Sequence, residues 1–81
     1  MNDEKFYPNS YEGLLQLIRR LRGRDGCPWD RAQTHDSLKN LFLEECYELI
    51  EAIESGDSRN LVEELGDVLF HITFQIHIGH E

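Results

Sequence analysis

The chain has 81 residues and carries 16 acidic and 8 basic side chains, which gives a formal net charge of −8. This acidic balance argues against general nucleic-acid binding, because proteins that bind phosphate backbones need a basic face to displace counterions. The first residues lack the pattern of a secretory signal, and no apolar run approaches the roughly 20 residues that a membrane span needs. Cys27 and Cys46 match no zinc spacing and indicate reduced thiols. We therefore expect a soluble, cytoplasmic protein.

The first part of the chain predicts a polar lead followed by a helix. We expect residues 1–9 to be flexible and residues 10–81 to form a single helical domain. Ser10 is placed to cap the first helix, whose leucine and isoleucine side chains recur at helical spacing up to Leu21. Gly23 should end this helix. The following segment, GRDGCPWDRAQT, contains two glycines and a proline and predicts a compact loop.

Two longer helices follow this loop. The second helix is predicted to begin after Thr34 or Asp36 and to run to about Glu54, with Gly56 as its C-cap. The third helix is predicted from near Ser58 to about Ile78. Its apolar side chains are Leu61, Leu65, Val68, Leu69, Ile72 and Ile76. No segment alternates as a strand does, so the sequence predicts an all-α fold built on a helical hairpin.

A carboxylate lies within the apolar stripe of the second helix. At about 100° per residue, five apolar side chains fall within about 60° of Glu45: Leu38, Leu41, Phe42, Leu49 and Ala52. An uncompensated charge on a buried face is destabilising by several kcal/mol. Either this face is therefore not buried, or a partner of opposite charge lies close to Glu45. Glu48 lies at the edge of the same stripe.

The third helix repeats this arrangement with Glu64 and Asp67, followed on the same face by His71 and Gln75. If the two helices pack antiparallel, the two acidic pairs face each other and repel. Hard divalent cations such as Mg²⁺ prefer oxygen ligands and would remove that repulsion. The pattern therefore predicts a metal site.

Each of these residues also has an interpretation in which it only stabilises the fold or faces solvent. A single ExxE pair is usually a solvated helix face, and two such pairs on successive apolar stripes are what favour a metal site. His71 is equally well explained as a core histidine with a hydrogen-bond partner or as a direct part of the site. Trp29 could plug a helix end, or it could cover a pocket mouth and stack on a nucleobase. Plain solvated charges are expected at Glu44, Glu51, Glu54 and Glu63.

The second helix is also apolar on the side opposite Glu45, where Leu43, Tyr47 and Ile50 lie. A surface helix needs only one apolar stripe. Two stripes in so short a chain predict a homodimer or a higher homo-oligomer, in which dimerisation completes a four-helix-type core.

Three segments together resemble the MazG family of nucleoside triphosphate pyrophosphohydrolases: LLQLIRRLRGRDGCPWDRAQTHDSL, LEECYELIEAI and LVEELGDVLFHITF. The resemblance covers about residues 12–81, and its motifs are specific in combination. It implies Mg²⁺-dependent hydrolysis of (deoxy)nucleoside triphosphates to the monophosphate and pyrophosphate, with Mn²⁺ as a possible substitute. It also implies an all-α fold.

The resemblance assigns roles to individual residues. Glu45 and Glu48 stand for the first metal-binding pair and for the catalytic acids, and Glu64 and Asp67 stand for the second pair. Substrate contacts are implied for Trp29, near the base, and for His71, on the phosphate side. Glu44 completes the EExxE motif.

The chain departs from the family pattern at its end. Family members continue into a fourth helix rich in Lys and Arg, whereas this sequence stops at Glu81. Lys39 and Arg31 are the nearest basic residues left to contact substrate phosphates, and Lys39 points away from the Glu45 stripe. An alternative function is therefore a weakly active or inactive dimerisation or regulatory half-domain. A di-iron carboxylate bundle is a further rival, but it needs histidine three residues after glutamate, and His71 follows Asp67 by four.

Overall fold

The computed structural model describes residues 10–81, which form four helices. They are α1 (Tyr11–Leu21), α2 (Pro28–Ala32), α3 (His35–Ser55) and α4 (Ser58–Gly79). The described residues contain no strand, which confirms the predicted all-α class. The flexible lead predicted for residues 1–9 lies outside the described residues.

The start of α1 and both ends of α3 follow from local capping interactions. The Ser10 hydroxyl accepts a hydrogen bond from the Gly13 N–H at 3.2 Å, as its predicted N-cap role requires. Thr34 and Ser37 form a reciprocal capping box at the start of α3. Gly56 adopts a left-handed φ of 75° and ends α3, a conformation that glycine adopts without steric penalty.

The segment that was predicted to be a loop contains α2. This helix has only five residues and buries none of them, so it lacks the apolar periodicity by which a helix is recognised in a sequence. Pro28 occupies its first turn, where the missing N–H is not needed. The prediction of a compact loop was therefore wrong for Pro28–Ala32, which form a short helix.

The long helices α3 and α4 form an antiparallel hairpin, and α1 packs against α4. The hydrophobic core lies towards the open end of this hairpin. It consists of Ile18, Leu38 and Phe74, with Leu14, Phe70 and Ile78 packed around them. This core places α2, which connects α1 to α3, beside the middle of the hairpin.

Much of the apolar surface of the hairpin stays exposed in the single chain. On α3 the stripe opposite Glu45 is open, with Leu43, Tyr47 and Ile50 between 49% and 60% exposed. On α4 only part of the predicted apolar set is covered, because the helix turns its aromatic face towards α1 and α3. The members that remain exposed are Leu65, Leu69, Ile72 and Ile76. Within the described residues, no helix is both long and apolar enough to cross a bilayer.

Candidate active site between α3 and α4

Glu45 meets a direct partner on the facing helix. The Nδ1 atom of His71 lies 2.7 Å from Oε1 of Glu45, and the two side chains are only 4% and 19% exposed. The His71 ring also packs on the Phe42 ring, with centroids 4.8 Å apart. This hydrogen bond satisfies the carboxylate in the apolar stripe. The polar partner of Glu45 in the structure is thus His71, a side chain of α4.

The hydrogen bonds continue from His71 towards the start of α3. The amide nitrogen of Gln75 lies 3.0 Å from Nε2 of His71, and the amide oxygen of Gln75 contacts Nδ1 of His35. The chain of contacts Glu45–His71–Gln75–His35 therefore runs along the hairpin interface. Sequence analysis gave no role to His35. The helix register that brings His35 to Gln75 is a tertiary property, and no local pattern signals it.

Three further acids gather one to two turns closer to the hairpin turn. Burial raises the pKa of Glu64 first, and the charges of Glu48 and Asp67, followed by a hydrogen bond with Glu48, raise it further. The Oε2 atom of Glu64 is buried and has no hydrogen-bond partner among the described residues. A carboxylate oxygen without a partner, beside two other carboxylates, is an unfavourable arrangement unless a cation compensates it.

These donors suit a hard divalent cation, since carboxylate oxygens are the ligands that Mg²⁺ prefers. In residues 10–81, however, no three His, Cys, Asp or Glu side chains converge closely enough to hold a metal ion as they stand. Glu45 is engaged with His71, whereas Glu48 and Asp67 are exposed at the interface edge. Ion binding would therefore require the two exposed side chains to rotate towards Glu64.

Trp29 lies at the same cleft as Glu45 and His71. This cleft has a volume of about 150 Å³ and is lined mainly by apolar side chains: Trp29, Asp30, Leu38, Leu41, Glu45, Phe70, His71 and Phe74. Trp29 itself is 56% exposed. More than half of this residue is therefore accessible to solvent at the cleft.

Lys39 lies at a second and more open cleft of about 430 Å³. Its lining residues are Lys39, Phe42, His71, Ile72, Gln75 and Ile76, so His71 lies between the two clefts. The Lys39 ammonium group is exposed and lies 2.8 Å from the Asp36 carboxylate. The structure thus brings together Glu45, His71 and Trp29, groups Glu48, Glu64 and Asp67 nearby, and leaves Lys39 on the other side of His71.

Comparison with known proteins identifies a protein family whose sequences resemble this chain. The model of the MazG nucleotide pyrophosphohydrolase domain matches residues 33–81, a span that contains all four acids and His71. The chain is 49% identical over 71 residues to the nucleoside triphosphate pyrophosphohydrolase/pyrophosphatase MazG of Thermotoga maritima, covering 88% of this chain and 28% of that protein.

Two other relatives show similar agreement. The nucleoside triphosphate pyrophosphohydrolase of Escherichia coli K12 is 40% identical over 74 residues, covering 90% of this chain and 28% of its own length. The uncharacterized protein YabN of Bacillus subtilis is 46% identical over 81 residues, covering 100% of this chain and 17% of its own. The chain therefore spans less than a third of each of these relatives. No solved structure matches it significantly.

The raised pKa of Glu64 predicts a stabilising substitution. Between the ordinary value of 4.5 and the raised value, the folded state binds more protons than the unfolded state, so stability falls as pH rises through this window. In metal-free buffer at pH 7, Glu64→Gln should therefore raise the melting temperature. The gain should vanish below pH 4.5, where Glu64 is protonated in both states.

Thermal unfolding followed by circular dichroism between pH 4 and 8 measures this effect. Glu51→Gln, which removes an exposed acid from α3, serves as the control and should change the melting temperature little. A lower melting temperature for Glu64→Gln at pH 7 would contradict the assigned repulsion.

Proposed function

The chain belongs to the MazG nucleotide pyrophosphohydrolase domain family, and we propose that it hydrolyses nucleoside triphosphates to the monophosphate and pyrophosphate. The observation that carries this proposal is the acidic group at the hairpin interface, where an oxygen of Glu64 that has no hydrogen-bond partner in the described part of the chain lies beside Glu48 and Asp67. The partner of such a site is a nucleotide with a bound cation. A nucleic acid fits poorly, because the net charge of −8 would repel it.

We propose Mg²⁺ as the cofactor, with Mn²⁺ as a possible substitute, held by Glu48, Glu64 and Asp67 together with Glu45. When bound, the ion would neutralise charge on the triphosphate oxygens and lower the pKa of coordinated water. Without an ion, the three neighbouring acids repel both one another and an anionic substrate. The family names of the relatives support the substrate class.

The protein groups would position the water and accept its proton. Glu45 lines the cleft, and its hydrogen bond to His71 restricts the orientation of its carboxylate. Either Glu45 or Glu48 would orient the water and take the proton as the water oxygen attacks phosphorus. The anhydride bond between the α- and β-phosphorus atoms then breaks, and pyrophosphate leaves. His71 would hold Glu45 in place, and Lys39 is the nearest cation for the outer phosphates.

Trp29 is proposed to stack on the base, because its exposed ring lies at the cleft that contains Glu45. We also propose that two copies of the chain associate through the exposed stripe of Leu43, Tyr47 and Ile50. An exposed apolar stripe of this kind is rare on monomeric soluble proteins. The free thiols Cys27 and Cys46 suit a cytoplasmic location, which we propose as well.

Removing single carboxylates tests the metal site. Glu48→Gln and Asp67→Asn should each abolish Mg²⁺-dependent release of pyrophosphate while leaving helical content unchanged, because an amide keeps the shape of the side chain but not its charge. A panel of nucleoside triphosphates, assayed with and without Mg²⁺, measures this loss. Glu51→Gln should retain activity. Near-normal turnover of either variant at limiting Mg²⁺ would show that the residue is not a ligand.

Trp29→Ala tests base stacking. It should weaken nucleotide binding by about 1–3 kcal/mol, the contribution of one base–aromatic stack, with little change in melting temperature. Trp29→Phe should retain part of the affinity, and Tyr11→Ala, at an exposed aromatic residue of α1, should retain all of it. Isothermal titration calorimetry with a nucleotide measures the difference. Unchanged affinity with a large drop in melting temperature would instead identify Trp29 as a structural plug.

Tyr47→Glu tests the proposed dimer. A charge buried at this contact should produce monomers or unfolded protein, because an unpaired carboxylate in an apolar interface is strongly disfavoured. Tyr11→Glu makes the same exchange at an exposed tyrosine outside the stripe and should leave the dimer intact. Light scattering at micromolar concentrations measures the molecular mass. A folded monomer for the native chain across this range would refute the proposal.

A further inference from the structure

Arg22, at the end of α1, joins three parts of the chain through one buried side chain. The side chain is 8% exposed, and one terminal nitrogen of its guanidinium donates to the carbonyl oxygens of Asp30 and Gln33, at 2.7 and 2.8 Å. Nε and the other terminal nitrogen donate to the two carboxylate oxygens of Glu81, both at 2.6 Å. The guanidinium also lies over the Phe74 ring, 5.6 Å from its centroid.

The two carbonyl groups that Arg22 contacts belong to the end of α2. A five-residue helix is far too short to be stable by itself, and α2 buries no residue that could hold it by hydrophobic packing. Carbonyl groups at a helix end lack the usual N–H partner four residues later, and the Asp30 carbonyl accepts a hydrogen bond of 3.3 Å from the Gln33 N–H at the end of α2. Arg22 adds a donor to both carbonyls through its planar guanidinium.

The backbone immediately before α2 is also held against the end of α1. The Cys27 N–H donates to the Leu21 carbonyl at 2.9 Å, immediately before α2 begins. A Cβ atom on Gly26 would lie 2.2 Å from that same carbonyl oxygen, so only glycine permits the approach. The segment is therefore attached to the end of α1 on both sides of Trp29.

The residues that Arg22 contacts also line the cleft that contains Glu45 and His71. Trp29 and Asp30 line one part of the cleft, and Phe74, under the Arg22 guanidinium, lines another. A displacement of Arg22 would therefore change the distance between Trp29 and the opposite wall.

We propose that Arg22 is a positioning residue, whose guanidinium fixes α2 and thereby sets where Trp29 stands over the cleft that contains Glu45 and His71. Its effect on substrate selection rests on the proposed stacking of Trp29 on the base. Its effect on α2 does not depend on any ligand, and the two can be measured separately.

Trp29 is the only tryptophan in the sequence, so tryptophan fluorescence, excited at a wavelength that the three tyrosines do not absorb, reports on this segment alone. Arg22→Met keeps the apolar part of the side chain and removes all of its hydrogen-bond donors. Arg22→Lys keeps the positive charge but lacks the planar guanidinium group that donates in several directions at once. Arg19→Met, at an exposed arginine of α1, is the matched control. Acrylamide quenching of Trp29 and amide hydrogen exchange over residues 28–34 are measured on nucleotide-free protein, with circular dichroism to verify the fold.

In Arg22→Met, we expect more efficient quenching and amide exchange faster by about tenfold or more in residues 28–34, with protection of the α3–α4 hairpin unchanged. Arg22→Lys should lie between this variant and the native chain, and it replaces Arg22→Met if that variant does not fold. Arg19→Met should match the native chain.

Unchanged quenching and exchange in the folded Arg22 variants would overturn the proposal. Equal loss of protection in all helices would overturn it too, because Arg22 would then act on general stability. Nucleotide affinity is measured last. If α2 is loosened while affinity stays native, the positioning of α2 is confirmed and the stacking of Trp29 on the base is refuted.

Discussion

The negative charge of each carboxylate between α3 and α4 must be compensated by a hydrogen bond or by a cation. The organisation of the site follows from which of the two each carboxylate has available. Glu45 obtains a hydrogen bond from His71 within the chain. The charges of Glu48 and Asp67 raise the pKa of Glu64, and one buried oxygen of Glu64 has no hydrogen-bond partner within residues 10–81. The interface thus contains one satisfied acid beside an unsatisfied group. In the proposed site, Glu45 would hold a fixed orientation through His71 while it contributes a ligand to the cation, and Glu64 would offer its buried oxygen to the same cation.

The remaining structure serves to hold this interface and the cleft beside it. The core around Ile18, Leu38 and Phe74 fixes α1 against the open end of the hairpin. From there, Arg22 reaches the end of α2 and so connects the packing of the core to the position of Trp29. The polar site therefore depends on apolar packing at one end of the hairpin, while the exposed stripe on the other side of α3 remains available for a second copy.

The sequence predicted most of the fold because the helix ends carry local signals. Ser10 and Gly56 act as caps through their own backbone neighbours, so their roles could be inferred without tertiary information. The helix α2 could not be predicted in this way, since the contacts that attach it to the end of α1 are tertiary: those of Arg22 and Arg31 and the close approach at Gly26. For the site, helical periodicity identified Glu45 and His71 separately, but only the register of the hairpin pairs them. The metal-binding roles of the four acids remain predictions.

Paramagnetic broadening by Mn²⁺ tests the central claim most directly, because it locates a bound cation without requiring turnover. Substoichiometric Mn²⁺ added to ¹⁵N-labelled protein should broaden the amide resonances of Glu48, Glu64 and Asp67 most strongly, and Glu64→Gln should weaken this effect. Excess Mg²⁺ should reverse it by competition. Broadening centred instead on exposed acids elsewhere, such as Glu12 or Asp25, would contradict the account, as would broadening that is unaffected by Glu64→Gln.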